Sequence, residues 1–352
     1  MVNIRSFKEE DNETLLSIER LCPQGNEECA MAVDKEPDIT ARYELYDNWE
    51  IRVAEEDDTT VGWIGWTVKQ GPEQKYVYVA EVMVHPDYRR QGIAIKLLRE
   101  AERAAHDAKV SHIYCYIYEP NEPSMKLVEK LGYIQEKDVR IIAMSAYKKE
   151  HIEREYDLAR IDGKDLPEAV KLINSYYTGK AHFSPFTAPG FRTYANRVLG
   201  YGLENFLVAK WKGKIVACGG FWDSSVLMEM TYTKEPMMWK LMANAYGILR
   251  HFISMPRIPA EGEFFKFHSI VDHAFEPEHA LAMEEILNYC NNLMFDTKCE
   301  FFGAYTDPDD PIIEVMKKFK PMYETMYLYA KPISGKLPDF SSIYVDCRDP
   351  IL

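Results

Sequence analysis

Arg89-Arg90-Gln91-Gly92 is the stretch whose residue types and spacing best suit chemistry on a ligand. It follows Tyr78-Val79-Ala80-Glu81-Val82-Met83-Val84, a β-branched, aromatic run that reads as a buried strand ended by His85-Pro86-Asp87. From Ala94 onward, Ala94, Leu97, Leu98, Ala101, Ala104 and Ala108 recur at helical spacing, so one helix face packs on a sheet. A glycine-bearing turn between strand and helix leaves several N–H groups unpaired and aimed outward. With the helix dipole, they suit a phosphate or pyrophosphate. Glycine at position 92 lets such a ligand approach the backbone. The bland reading is an ordinary strand–helix turn without a ligand.

Arg89-x-x-Gly92-x-Ala94 after a Val84-x-Pro86 strand end resembles the acyl-CoA-binding motif of the GCN5-related N-acetyltransferase (GNAT) superfamily. That family's second mark, an Asn-started helix ending in Leu-Gly-aromatic, stands at Asn121-Glu122-Pro123-Ser124 through Lys130-Leu131-Gly132-Tyr133. The resemblance implies an α/β fold: a mixed, mostly antiparallel twisted sheet with one splayed parallel strand pair and flanking helices. It implies acetyl-CoA as co-substrate, no metal, and a primary amine on a small molecule or polypeptide as acceptor. By the same resemblance Val82, Met83 and Val84 contact the pantetheine arm through main-chain atoms. Arg89, Arg90, Gln91, Gly92, Ile93, Ala94 and Ile95 hold the pyrophosphate, and Asn121, with Ser124 in the same motif, meets the pantetheine arm.

Acetyl transfer needs a deprotonated amine, a polarised thioester and a protonated leaving thiolate, and a positioned acid or base typically gives ~10²–10⁴-fold. Glu81 is the carboxylate of the central strand, and glutamates on this strand act as base in a number of GNAT enzymes. Tyr78 is the second catalytic candidate. Strand parity puts Tyr78 and Ala80 on the face opposite Glu81 unless a bulge intervenes. A paired structural carboxylate is an equally weighted reading of Glu81. The family's usual thiolate acid, a tyrosine seven residues after the motif asparagine, is Val128 here, with Tyr116, Tyr118 and Tyr133 nearby in sequence.

The 352 residues suit two domains, and their net charge is −14. An acidic chain suits a cationic amine and argues against a nucleic-acid partner, which needs clustered Lys and Arg. No apolar run is long enough for a membrane, and the N-terminus lacks a signal core. Seven scattered cysteines suit reduced thiols in the cytoplasm. His268, His273 and His279 are spaced too loosely for zinc.

A polar stretch near Lys148–Glu155 divides residues 1–150 from 151–352. Beyond it the order of elements repeats, with strands expected at 157–161, 206–211, 214–221, 264–273, 300–305 and 326–330. Helices are expected at 166–177, 278–294 and 310–319. Shifting by about 187 residues lays Glu276–Leu281 over the Arg89–Ala94 turn, replacing the arginine by Glu276 and the glycine by His279. Carboxylates at that helix start would repel a pyrophosphate, so the second half reads as a degenerate copy. The segment 224–263 reads as an insertion whose Met238, Leu241, Met242, Ala245, Tyr246, Leu249 and Phe252 form an apolar helix stripe, either core or a homodimer contact. Residues 26–48, with Glu27, Glu28, Asp34, Glu36, Asp38 and Glu44, read as an acidic loop, and 332–352 as a polar arm.

Overall fold

The computed structural model describes residues 2–35, 37–71, 73–235, 237–249, 257 and 259–349. Glu36 and Phe252 lie outside these, as do the side chain of Leu249 and the last three residues of the arm. The first half runs β1 (Asn3–Ser6), α1 (Asn12–Arg20), β2 (Gln24–Gly25), β3 (Ala30–Asp34), β4 (Trp49–Glu56), β5 (Thr59–Gln70), β6 (Lys75–Val84), α2 (Ile93–Asp107), β7 (His112–Tyr118), α3 (Glu122–Lys130) and β8 (Ile134–Ser145). The second runs β9 (Asp157–Arg160), α4 (Leu166–Tyr177), α5 (Ala188–Arg197), β10 (Phe206–Trp211), β11 (Lys214–Asp223), β12 (Glu229–Lys234), α6 (Met237–Leu249), β13 (Phe264–Phe265), β14 (Phe267–Phe275), α7 (Ala280–Thr297), β15 (Phe301–Thr306), α8 (Ile312–Met316) and β16 (Met322–Pro332). This is the mixed α/β architecture expected from the sequence.

Among the described residues, twelve strands form one sheet in the order β1-β4-β5-β6-β7-β16-β8-β15-β14-β11-β10-β9. The last strand of each half crosses over. β16 lies antiparallel between β7 and β8, while β8 pairs on its other edge with β15. Each half is therefore completed by a strand from the other. A second sheet, β13-β12-β3-β2, also joins the halves, through the pairing of β12 with β3. It makes part of the segment read as an acidic loop a paired strand.

Two parallel pairs interrupt the antiparallel sheet. β6 and β7 pair only at Val77↔Ile113 and Tyr78↔Tyr114, and β14 and β15 only at Phe267↔Phe301, His268↔Phe302 and Ser269↔Gly303. Beyond these points the strands part. On one face of the first splay lies α2, whose Ile93, Leu97, Leu98, Ala101 and Ala105 pack with Val77, Val79, Ile113 and Cys115. Burying an aliphatic side chain of this kind contributes roughly 1.5–3 kcal/mol, so α2 fixes the sheet against which its own N-terminus is presented.

The arm after β16 is not a solvated tail. Ile343, Tyr344, Asp346, Cys347 and Asp349 are buried, and Ile343 bridges to Ala181. Its polar look in the sequence arises because its charged groups have fixed partners inside. Helix α6 differs from the core reading: Met237, Met238 and Leu241 are exposed.

Candidate active site

A groove of about 290 Å³ opens where β6 and β7 part. Its walls include Val82, Met83 and Val84 from β6 and Cys115, Tyr116 and Ile117 from β7. Asn121, Ser124 and Val128 of the second motif contribute, as do Cys22, Gln24 and Gly25. Backbone groups on the facing edges of the diverging strands are not paired with each other, leaving them for an extended ligand.

At the mouth, Gly92 is the N-cap of α2 with φ of +81°. Nothing lies within 4 Å of where its Cβ would stand, so the turn faces open space. Arg90, also at positive φ (64°), Gln91 and Gly92 are exposed there. Arg89 and Ala94 line the groove, whereas Arg90, Gln91, Gly92, Ile93 and Ile95 are outside its lining. The Ile93 side chain is in the core, so only its main chain is available to a ligand. Arg89 donates from Nε to the Val84 carbonyl (3.1 Å) and from Nη2 to Cys22 Sγ (3.2 Å). That holds the guanidinium beside the helix N-terminus. The Asn121 Oδ1 accepts from the Ser124 N–H at 3.3 Å as the cap of α3, which leaves its NH₂ to donate.

At the deep end a β-bulge decides which side chains meet. Gly65 pairs with Glu81 but Trp66 with Val79, so Ala80 is the extra residue. The bulge cancels the parity conflict and puts Tyr78 and Glu81 on one guanidinium, Arg42, which donates to Glu81 and, at 3.2 Å, to the Tyr78 hydroxyl. Glu81 also takes Lys35 Nζ at 2.6 Å and the Tyr43 hydroxyl at 2.5 Å. Burial opposes its ionisation, but Lys35 and Arg42 outweigh burial and hold its pKa down at about 2. Lys35 also pairs with Glu19, whose pKa burial pushes up to about 7 although Lys35 pulls the other way. One Glu19 oxygen has no partner among the described residues.

Arg42 ties this cluster to the C-terminal arm. It donates to the Asp349 carbonyl at 2.7 Å, and the Tyr78 hydroxyl donates to the same oxygen. The Asp349 carboxylate accepts from Lys69 (2.8 Å), Tyr46 (2.9 Å) and Tyr114 (2.5 Å). Sequence reasoning missed Arg42, Lys35, Cys22, Tyr116 as a wall and Asp349; no local pattern marks them.

The three histidines go separate ways: His268 sits by Cys299, His273 by Asp310 and His279 by Tyr156.

Residues 13–133 match the Acetyltransferase (GNAT) family. A stretch of 67 residues is 31% identical to the chloroplastic GCN5-related N-acetyltransferase 6 of Arabidopsis thaliana, covering 19% of this chain and 23% of that one. The match thus spans about a quarter of the curated relative. Among solved structures, a GCN5-related N-acetyltransferase from Sphaerobacter thermophilus superimposes with a TM-score of 0.63 at 12% identity, over 96% of this chain and 97% of that one. A tandem GNAT protein from the clavulanic acid biosynthesis pathway gives 0.57 at 12% identity, over 96% and 100%. The Saccharomyces cerevisiae N-myristoyltransferase, solved with bound myristoyl-CoA, gives 0.59 at 12% identity, over 97% and 82%.

Residues 13–133 thus carry a domain of the acetyltransferase (GNAT) family, in a fold that nearly the whole chain shares with a tandem GNAT protein. Among the described residues no helix is long and apolar enough to cross a membrane.

Proposed function

We propose that the chain transfers an acetyl group from acetyl-CoA to a primary amine, on a small molecule or a polypeptide, within a ternary complex. The observation that carries this reading is the open β6/β7 splay, whose lining takes in the Asn121 cap and Arg89 and Ala94 on either side of the Gly92 turn. Residues 1–150 would bind the co-substrate, and 151–352 would be a copy that has lost it. The acidic net charge supports a cationic acceptor, and seven free cysteines support a reducing, cytoplasmic setting.

In this reading Arg89 and the N–H groups around Gly92 hold the pyrophosphate, while Val82, Met83 and Val84 pair with the pantetheine arm. Asn121 donates its side-chain amide to that arm. Holding thioester and amine together supplies most of the rate, since a positioned pair can gain ~7–11 kcal/mol. Glu81 fits an anchor better than a base, because its oxygens are taken by three donors and its charge by two cations.

Isothermal titration with acetyl-CoA tests the reading, and one site per chain is expected. Free CoA released over a panel of amines tests turnover. Val128 on the groove wall, with Glu81 held by cations, favours a second reading, a non-catalytic acyl-CoA-binding regulator. Binding without turnover on any amine would select it.

A further inference from the structure

A second cavity, of about 40 Å³, lies where the two sheets face each other and the halves of the chain meet. Glu324 of β16 and Phe301 and Tyr305 of β15 stand across it from Met31, Tyr232 and Phe265 of the small sheet. Its walls are aromatic. Phe265 stacks on Tyr232 at 5.0 Å between ring centroids, and Trp239 of α6 stands edge-on to Tyr232 at 5.4 Å. Among the described residues, Glu324 is the one charged side chain of the lining.

That carboxylate has hydroxyl partners and no cation. Tyr232 donates to it at 3.4 Å, and Tyr118 also reaches it. Among the described residues no Lys, Arg or His pairs with it, whereas Glu81 holds both Lys35 and Arg42. Burial pushes the Glu324 pKa up, against the two hydroxyls. An acid that the chain surrounds with rings and leaves without a counter-charge suits a cation from outside, since ring faces attract ammonium groups and the carboxylate completes the pair.

The cavity adjoins the β6/β7 groove. Met31 in its wall pairs across the β2–β3 ladder with Gln24 in the groove wall, so one strand spacing of about 5 Å separates the two linings. Tyr305 feels the Glu324 charge and the opposing Arg42 charge, after burial, and so stands within reach of both the cavity's acid and the deep-end guanidinium.

Resting on the acyl-transfer reading, we propose that this cavity holds the charged far end of the acceptor, which is therefore a diamine. One amine, neutral, attacks the thioester, while the second sits as ammonium against Glu324. They are different nitrogens, because an attacking amine needs a free lone pair and an ammonium held by a carboxylate has none. The new nitrogen–carbon bond replaces the carbon–sulfur bond, and the proton lost by the amine balances the free thiol. The anchored ammonium is unchanged. The cavity has room for a chain end, so the rest of the acceptor extends toward the groove.

The probes are linear α,ω-diamines, each compared with the monoamine of equal carbon count. With acetyl-CoA, the best diamine should exceed its monoamine by about 30-fold or more in kcat/KM. In Glu324→Gln the KM for that diamine should rise by a similar factor, with monoamine kinetics and CoA affinity unchanged. The variant orphans no internal cation and is expected to melt no lower than wild type. Binding is also read without turnover: the diamine alone should raise the melting temperature of wild type and not of Glu324→Gln. Trp239→Leu, which keeps the carboxylate, should weaken the diamine about threefold. Diamines no better than their monoamines in wild type, or a diamine KM unmoved by Glu324→Gln, would overturn the inference. Failure of wild type to bind acetyl-CoA would overturn the acyl-transfer reading instead, and the melting shift with diamine alone would still decide whether the cavity takes a cation.

Discussion

The β6/β7 and β14/β15 splays share a topology and differ in what fills them. In the first the gap is open as a groove. In the second the chain closes it with its own arm: Ile343, Val345 and Cys347 line the small space left beside Ile270, Val271, Asp272 and Tyr305. Tyr344 donates to Asp272 at 2.7 Å, and the Ile343 N–H donates to Asp307 at 2.7 Å. The turns diverge in the same sense. Gly92 leaves its helix start open, whereas His279 caps α7 beside Glu276, which is paired with Lys214. In the proposed reading of the second half as a degenerate copy, two physical features set it apart from the first, a changed turn and a filled cleft.

The sharpest attempt to break that contrast targets Gly92. Gly92→Glu places a side chain at φ +81° and a carboxylate at the helix start, and acetyl-CoA binding by calorimetry is expected to weaken by at least about 10²-fold. The reciprocal change, Glu276→Arg with His279→Gly, is expected to create no second CoA site, because the arm still fills the cleft. A stoichiometry of two would sink the filled-cleft argument.

Next comes the charge cluster at the deep end of the open groove. Glu81→Gln leaves Lys35 and Arg42 buried without their common anion and is expected to cost about 3 kcal/mol in urea unfolding. Glu81's folded pKa, about 2, lies below its ordinary 4.5. Its contribution is therefore present above pH 4.5 and lost as pH falls toward 2. Wild type minus variant stability should shrink over that window, and a constant difference would refute the pairing.

Asp349→Ala removes the acceptor shared by Lys69, Tyr46 and Tyr114, and about 2–3 kcal/mol of loss is expected, with earlier proteolysis of the arm. The smallest effect belongs to the degenerate turn. Lys214 is exposed, so Lys214→Ala should not change the melting temperature measurably.

What could be read from sequence was local. The Gly92 turn, the α2 stripe and the Asn121 cap each depend on residues within one turn or strand, and the elements of the second half fall close to where periodicity puts them. What escaped were contacts across the chain. Arg42 meets Glu81 39 residues away and Asp349 307 residues away, and neither separation leaves a pattern. The bulge at Ala80 has no residue signature, yet it alone brings Tyr78 and Glu81 to one cation. Helix α5 has no counterpart among the expected elements, although Thr187 caps it and Phe191 and Ala195 recur at helical spacing. The polar arm reads as solvated because charge suggests water, whereas Asp346 and Asp349 have partners inside. In residues 26–48, Glu27, Glu28 and Glu44 are exposed as the sequence suggests, and it is Lys35 and Arg42 that are buried and paired.

The crossing of β8 and β16 bears on how the protein is made. While the chain is being synthesised, β7 has no partner along the edge that β16 will occupy until residue 332 has left the ribosome. The β7 edge is thus open for more than half of translation, a known hazard for misassembly. A fragment ending near residue 150 would keep that edge for good and leave β8 without β15 and β16. Each half thus depends on the other to close its sheet edges.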